Sequence, residues 1–244
     1  MSLEPVLLSS SEQASLSQAA ELPEHAAESL SVDKGQLCWR GKPLRSAWRS
    51  AGVYAFLYAL DHPLLKQVRS AWLRTDPGVP LDAPWLHAMP KLRTLRLSLA
   101  DTQVPALPVG LESLQVDLGR GPIRHERLRT LHLNGWTQRV DGVGLELPAL
   151  TELRIERLSA LVSLDGLRAP TLASVDLEHC PALAQLSALS ECPLLRSLRA
   201  ARCGPVDLGA LRSPPLERVV LTGTLGAQVP ASLRPITSPK AARS

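Results

Sequence analysis

Acidic side chains recur at regular intervals in the middle of the chain. Glu152 and Glu156 flank Arg154, and Asp176 and Glu178 follow about one repeat later. Paired carboxylates can exchange protons as general acids and bases, or they can form an acidic surface that binds a cationic partner. His132, about one repeat before Arg154, has no serine or cysteine nucleophile in the same part of the repeat. The spacing therefore favours an acidic binding surface and predicts no catalytic residue, so the chain is not expected to be an enzyme.

Four cysteines provide the other candidate chemistry: Cys38, Cys180, Cys192 and Cys203. They form no CxxC pair and have no accompanying His-x3–5-His, which argues against a zinc site. Their spacing does not indicate a disulfide framework, so reduced thiols in a cytoplasm are predicted. Cys180 and Cys203 are expected to point into the core, whereas Cys192, just before Pro193, is the thiol most expected to be exposed. No metal and no cofactor is predicted.

A repeated apolar pattern positions these side chains. From residue 63 onward, two spaced apolar residues lead into an apolar pair separated by one residue. A period of two is typical of a short strand with both apolar residues on one face. One copy cannot bury its leucines, but stacked copies pair their strands in parallel and form a continuous core. The first residue of the closing pair marks about eight copies: Ala71, Leu95, Leu114, Leu131, Leu153, Val175, Leu198 and Val219.

The segments MPKLRTLRL, RLRTLHLNGW and TLASVDLEHCPALAQL resemble leucine-rich repeats, whose pattern is L-x-x-L-x-L-x-x-N/C-x-L. The resemblance covers about residues 63–225 and is closest to bacterial members of the family. It implies an α/β solenoid: a horseshoe with a parallel concave β-sheet and an irregular or 3₁₀ convex side. Cys180 and Cys203 match the Asn/Cys position of the pattern. Ala100, Gly119, Trp136 and Leu158 depart from it, so irregular turns are expected there.

In such a solenoid, the residues that alternate with the strand leucines face the open concave surface. These residues either form an ordinary solvated polar face or serve as a docking strip for another protein. Acids in the fifth and sixth strands suggest that the partner carries a basic patch, and Trp72 is a candidate anchor. The predicted partner-binding residues are Trp72, Arg74, Arg96, Asp117, His132, Glu152, Arg154, Glu156, Asp176, Glu178 and Arg199.

The flanking segments divide into three regions. Residues 1–29 are a Ser/Ala-rich tail, either partly disordered or an export signal. Residues 30–62 predict a hairpin around Asp33–Gly35 and an aromatic-rich helix over 46–60 that caps the first leucine layer. Residues 226–244 are a C-terminal tail.

Charge and hydropathy argue against two classes of partner, nucleic acids and membranes. The net charge is +4, from 27 cations and 23 anions, and no dense basic run indicates nucleic-acid binding. No apolar stretch approaches the length of a membrane span, and the N-terminus lacks the cationic start of a secretory signal. The sequence therefore predicts a cytoplasmic, non-catalytic scaffold that binds a partner protein on the concave sheet. The alternative is a secreted bacterial effector that binds a host protein.

Overall fold

The computed structural model describes residues 30–39, 42–43, 54, 57–58, 61–74, 81, 84–135, 144–209, 211, 215–224 and 236–237. The predicted N-terminal tail, Trp136 and most of the predicted C-terminal tail lie outside these residues. The chain divides into two compact units, Met1–Leu114 and Gln115–Ser244. No helix in the described part of the chain is long and apolar enough to cross a lipid bilayer.

The first unit begins with a hairpin, as the sequence predicts. Strands β1 (Leu30–Asp33) and β2 (Gln36–Trp39) pair antiparallel, and β3 (Lys42–Pro43) pairs with the other end of β2. Lys34 and Gly35 form the turn with φ of 47° and 80°. Two successive positive φ values fit the tight turn whose twist matches that of the strands, which is why glycine stands there.

Parallel strands follow in the first unit. β4 (Ser70–Arg74) and β5 (Thr94–Gln103) pair in parallel with Ala71 opposite Leu95 and Leu73 opposite Leu97. All four of these side chains are buried. Short 3₁₀ helices, Pro63–Gln67 and Pro84–Ala88, precede the two strands, and the His62 side chain caps the first by accepting from the Leu64 N–H. The apolar period of two therefore forms strands where the sequence predicts them.

The predicted helical cap over 46–60 lies largely outside the described residues. Of this segment, Tyr54, Leu57 and Tyr58 are described and helical, and the first two are buried. The Tyr54 ring stacks on the Trp85 ring with centroids 5.2 Å apart and planes 8° apart. Burial, aided by the nearby Cys38 thiol, raises the pKa of Tyr54 above its ordinary value, so the phenol stays neutral.

The second unit is a parallel β-sheet solenoid. Its main sheet contains six strands, all paired in parallel. They are, in order across the sheet, β8 (Thr130–Asn134), β10 (Glu152–Glu156), β12 (Ser174–Glu178), β13 (Ser197–Ala201), β14 (Arg218–Thr222) and β15 (Ile236–Thr237). Strand β6 (Ser113–Arg120) begins in the first unit and ends in the second. The predicted C-terminal tail thus contributes β15.

The core of this unit is a column of apolar side chains in strict register. The column contains Leu131, Leu153, Val175, Leu198 and Val219, all buried. Parallel strands lie about 4.8 Å apart, so each side chain packs directly on the equivalent one in the next coil. Burial of this column is the main stabilising term, because no single coil has a core of its own.

A second, smaller parallel sheet lies in the connections of the same unit. It contains β7 (Ile123–Arg124), β9 (Leu145–Glu146) and β11 (Leu167–Arg168), paired in that order. Only Ser187–Glu191, before β13, is a 3₁₀ helix among the described residues of the second unit. Besides irregular backbone and this 3₁₀ helix, the described connections therefore contain recurring two-residue strands, which are too short to produce a period in the sequence.

The residue after each of β8, β10, β12, β13 and β14 adopts a left-handed conformation. Gly135, Arg157, His179, Arg202 and Gly223 have φ between 54° and 62°. The first four donate their N–H to the next coil, with N–O distances of 2.8–2.9 Å, and so extend the ladder by one bond. Glycine adopts this conformation without strain, but three coils place Arg or His there.

Candidate functional site

The polar side chains of β8, β10, β12 and β13 form one surface, called here the polar strand face. Strand alternation turns them away from the buried leucines. Register then aligns them in three rows across the coils. The first row is His132, Arg154, Asp176 and Arg199, the second is Asn134, Glu156 and Glu178, and the third is Thr130, Glu152, Ser174 and Ser197. The structure therefore brings together most of the predicted partner-binding residues of the second unit.

Arg154 lies between two acids of the second row. Its Nη2 forms an ion pair with Glu156 Oε1 and lies 3.7 Å from Glu178 Oε2. His132 lies beside Arg154 in the register, with its Nε2 atom 3.6 Å from Glu156 Oε1. The arginine thus offsets the repulsion that the aligned carboxylates of Glu156 and Glu178 would otherwise create.

Arg199 has the same role one coil after Asp176. Its Nη1 donates to Asp176 Oδ1 and Oδ2 at 2.8 and 3.1 Å, and to Glu178 Oε2 at 3.5 Å. The hydrogen bond to Asp176 raises the pKa of Arg199, with the charges of Asp176 and Glu178 adding to the effect. Arg199 is therefore a fixed cation on this face.

The arginines are the more exposed members of these ion pairs. The side chains of Arg154 and Arg199 are 49% and 41% exposed, whereas Glu156 is 16% and Asp176 and Glu178 are each 28% exposed. A partner approaching this face would therefore meet guanidinium groups above a layer of carboxylates. Glu152 differs, because it is exposed and forms no ion pair with any described residue.

Asp117 is buried rather than on an open surface, which corrects the sequence-based expectation. Its Oδ1 accepts from Gln115 Nε2 at 3.2 Å and from Asn134 Nδ2 at 2.9 Å. Asn134 in turn accepts through Oδ1 from Arg157 Nε at 2.9 Å. The hydrogen bonds from the two amides replace those that the Asp117 carboxylate would make with water, so this buried carboxylate is satisfied beside the polar strand face.

Sequence reasoning missed three side chains that join this network. Arg157, His179 and Arg202 are the left-handed residues that follow β10, β12 and β13. His179 Nδ1 lies 3.8 Å from Glu178 Oε1, and its Nε2 lies 2.6 Å from Arg202 Nη1. Their signal was a basic residue or histidine directly after the strand in three consecutive repeats.

In the first unit, Trp72 and Arg96 form the most distinctive contact of the strand face. They are opposite each other in β4 and β5, and the Arg96 guanidinium carbon lies 4.2 Å from the centroid of the Trp72 ring. A cation over an indole face is attracted by the ring quadrupole. Both side chains are half-buried, and Arg74, two residues along β4, is exposed. The predicted anchor is therefore a stacked Trp–Arg pair.

The two inward cysteines are confirmed as buried. Cys180 Sγ donates to the Glu178 carbonyl at 3.6 Å, and Cys203 Sγ lies 3.6 Å from the Leu177 carbonyl and 3.5 Å from that of Ala201. The thiol–thiol hydrogen bond with Cys203, and then burial, raises the pKa of Cys180. That bond lowers the pKa of Cys203. These thiols contact carbonyls at the ends of β12 and β13, and they stand where the leucine-rich-repeat pattern has Asn or Cys.

Cys192 is also buried, so the expectation of an exposed thiol is wrong. Cys192 ends the 3₁₀ helix Ser187–Glu191, and its Sγ turns inward to lie 4.0 Å from the Ala188 carbonyl. Burial, with the charge of Glu191, raises the pKa of Cys192 to about 11. At neutral pH the thiol is protonated, which makes it a poor nucleophile.

Within the described residues, no group of three or more His, Cys, Asp and Glu side chains is arranged to hold a metal ion. No protein-family model matches the sequence, and a comparison with curated proteins gives no match.

Proposed function

We propose that this chain is a non-catalytic scaffold that binds a partner protein through the polar faces of its parallel strands. The observation that carries the proposal is the ordered charge network of the polar strand face. Side chains held in one arrangement by register and ion pairs lose less conformational entropy when they bind a partner. Arginine and tryptophan, which dominate binding energy at many interfaces, are among the partly exposed residues on these faces.

The proposal includes a solenoid of the leucine-rich-repeat type. Two features of the second unit support it. Both apolar residues of each L-x-L pair are buried and stack on the next coil. Cys180 and Cys203, at the Asn/Cys position of the pattern, are buried and bond carbonyls at the end of β12. A horseshoe curvature and a helical cap over 46–60 remain expectations of the resemblance.

The engagement of the acids favours binding over catalysis. A general acid or base needs a carboxyl group that is open to its substrate. Glu156, Asp176 and Glu178 instead face guanidinium groups and are less exposed than those groups. A screen with broad-range hydrolase substrates is therefore expected to give no turnover above that of the chain with Glu156→Gln and Asp176→Asn.

The sequence predicts a partner with a basic patch, and the ion pairs weaken that prediction. Three of the four acids that would meet such a patch already have cationic partners within the chain. Only Glu152 is exposed without an ion pair to a described residue.

Photo-crosslinking from single positions tests the proposed binding face. A photoreactive residue at Glu152 or Arg154 should give protein adducts in extracts of the organism that encodes the chain. The same residue at Arg168, on the smaller sheet, should not give them. The adduct should then be identified and the purified partner titrated against the full chain. Equal crosslinking from Arg168, or no affinity of the purified partner, would contradict the proposal.

A further inference from the structure

Four arginines form the outermost layer of the second unit's polar strand face and are called here the arginine strip: Arg154, Arg157, Arg199 and Arg202. Arg154 and Arg199 approach Glu178 from neighbouring coils. His179 links Glu178 to Arg202 by its two ring nitrogens, and Arg157 is held by Asn134. The strip thus spans three coils, from β10 to β13.

The acids beneath the strip orient it without using all its donors. Among the described residues, every ion pair of Arg199 uses Nη1 and every ion pair of Arg154 uses Nη2. A guanidinium has five N–H donors in a planar fork. Each of these arginines therefore retains donors that can bind a further carboxylate from outside the chain.

Backbone conformation provides an independent observation. Arg157 and Arg202 have φ of 56° and 54°, at the position where Gly135 and Gly223 stand in other coils. Residues other than glycine, asparagine and aspartate are strained in this conformation, and such strain is concentrated at functional sites. Arginine at both positions therefore places a long cationic side chain beside the strand face at a cost that glycine or asparagine would avoid.

We propose that the arginine strip binds an acidic segment of the partner protein, whose carboxylates pair with the outward donors of these arginines. This inference rests on the proposed function and specifies the chemistry of the partner. Coil spacing of about 4.8 Å puts Arg157 and Arg202 roughly 10 Å apart. Alternate side chains of an extended peptide are about 7 Å apart, so two carboxylates fit along the strip. Bidentate arginine–carboxylate bonds give the contact its geometry.

Fluorescence anisotropy with two labelled synthetic peptides tests this inference on the full chain. One peptide carries glutamate at alternate positions and the other carries lysine at the same positions. The acidic peptide should bind, and its affinity should fall as salt is added. The basic peptide should bind at least about tenfold more weakly.

Paired variants separate the strip from net charge. Arg157→Asn with Arg202→Asn removes two positive charges and relieves the strained backbone. This double substitution should lower the affinity for the acidic peptide by about tenfold, while the thermal midpoint of unfolding stays the same or rises. Arg129→Asn with Arg168→Asn removes the same charge at exposed positions that form no ion pair with any described residue, and it should leave binding unchanged.

Each other result overturns the inference. An equal loss of affinity for the acidic peptide in both double variants would show that net charge alone attracts the peptide. Preference for the basic peptide, or no binding of either peptide, would also refute an acidic partner. The proposed function would survive these results if the crosslinked partner still bound, and it fails separately if crosslinking shows no preference for the polar strand face.

Discussion

Arg199 and Asp176 are directly opposite each other in neighbouring strands, and Arg199 Nη1 donates to both carboxylate oxygens, at 2.8 and 3.1 Å. This pair shows how the solenoid organises charge. Register fixes which residues are neighbours across coils, and those neighbours are 23 residues apart in the chain. An acid that has no cation near it in the sequence can therefore form an ion pair with an arginine of the next repeat.

A new charge should have very different effects on the stability of the fold at the buried face and at the polar face of the main sheet. Val175→Asp places a charge inside the apolar column, where burial without a partner costs several kcal/mol. We expect no cooperative thermal unfolding for this variant. The control is Ser197→Asp, at a polar position opposite Arg218, which should keep a near-native midpoint. A normal melt for Val175→Asp by circular dichroism would show that the column does not hold the unit together.

The strands were predictable because their signal is local. Each L-x-L pair defines a face within three residues, and every copy whose pairing is described is a parallel strand with that face buried. The hairpin at Lys34 and Gly35 was predictable for the same reason, since the turn residues specify its type.

The charge network was not predictable, because it depends on distances between repeats of unequal length. The sequence shows acids at Asp176 and Glu178 but not that Arg154 and Arg199 cover them. Asp117 appeared exposed because its amide partners come from its own strand and the next. Cys192 appeared exposed because a loop before proline usually is, yet the 3₁₀ helix turns its thiol inward.

Leu118 is predicted to be a site where substitution stabilises the fold. Its φ is 54°, its side chain is 47% exposed, and a leucine is strained in this left-handed conformation. Leu118→Asn should raise the free energy of unfolding by about 0.5–1 kcal/mol, because asparagine tolerates the left-handed region.

Urea denaturation measures the effect of Leu118→Asn, and Val116→Asn is the matched control in the same strand. Val116 is fully buried, so its replacement by an amide should destabilise the fold by about 2 kcal/mol or more. A loss of stability in Leu118→Asn comparable to that of Val116→Asn would mean that packing of Leu118 outweighs its backbone strain.

Burial of Cys192 predicts a loss of stability at alkaline pH. Its pKa in the folded chain is about 11, against an ordinary value of 9.0. Because the folded value is the higher one, the folded state keeps the proton while the unfolded state loses it above about pH 9. The stabilising contribution is complete below pH 9 and is lost as the pH rises toward 11.

Cys192→Ala removes this titration. The free energy of unfolding of the native chain should therefore fall more steeply between about pH 9 and pH 11 than that of the variant, as measured by urea denaturation at each pH. Parallel pH profiles for the two proteins would contradict burial of a protonated thiol at this position.

Glu178 is predicted to be the central acid of the polar strand face. Arg154, Arg199 and His179 all approach its carboxylate, at 3.7, 3.5 and 3.8 Å. Glu178→Gln should lower the free energy of unfolding by about 0.5–1 kcal/mol at low salt, because two guanidinium groups lose a shared counter-charge. The loss should shrink in high salt, which screens partly exposed charges. Glu152→Gln is the control, since Glu152 forms no ion pair with any described residue and its removal should change the thermal midpoint little at either salt concentration. Identical melts for the two variants would mean that the ion pairs converging on Glu178 add nothing to stability, and that the arginines above it are not fixed by the acids below.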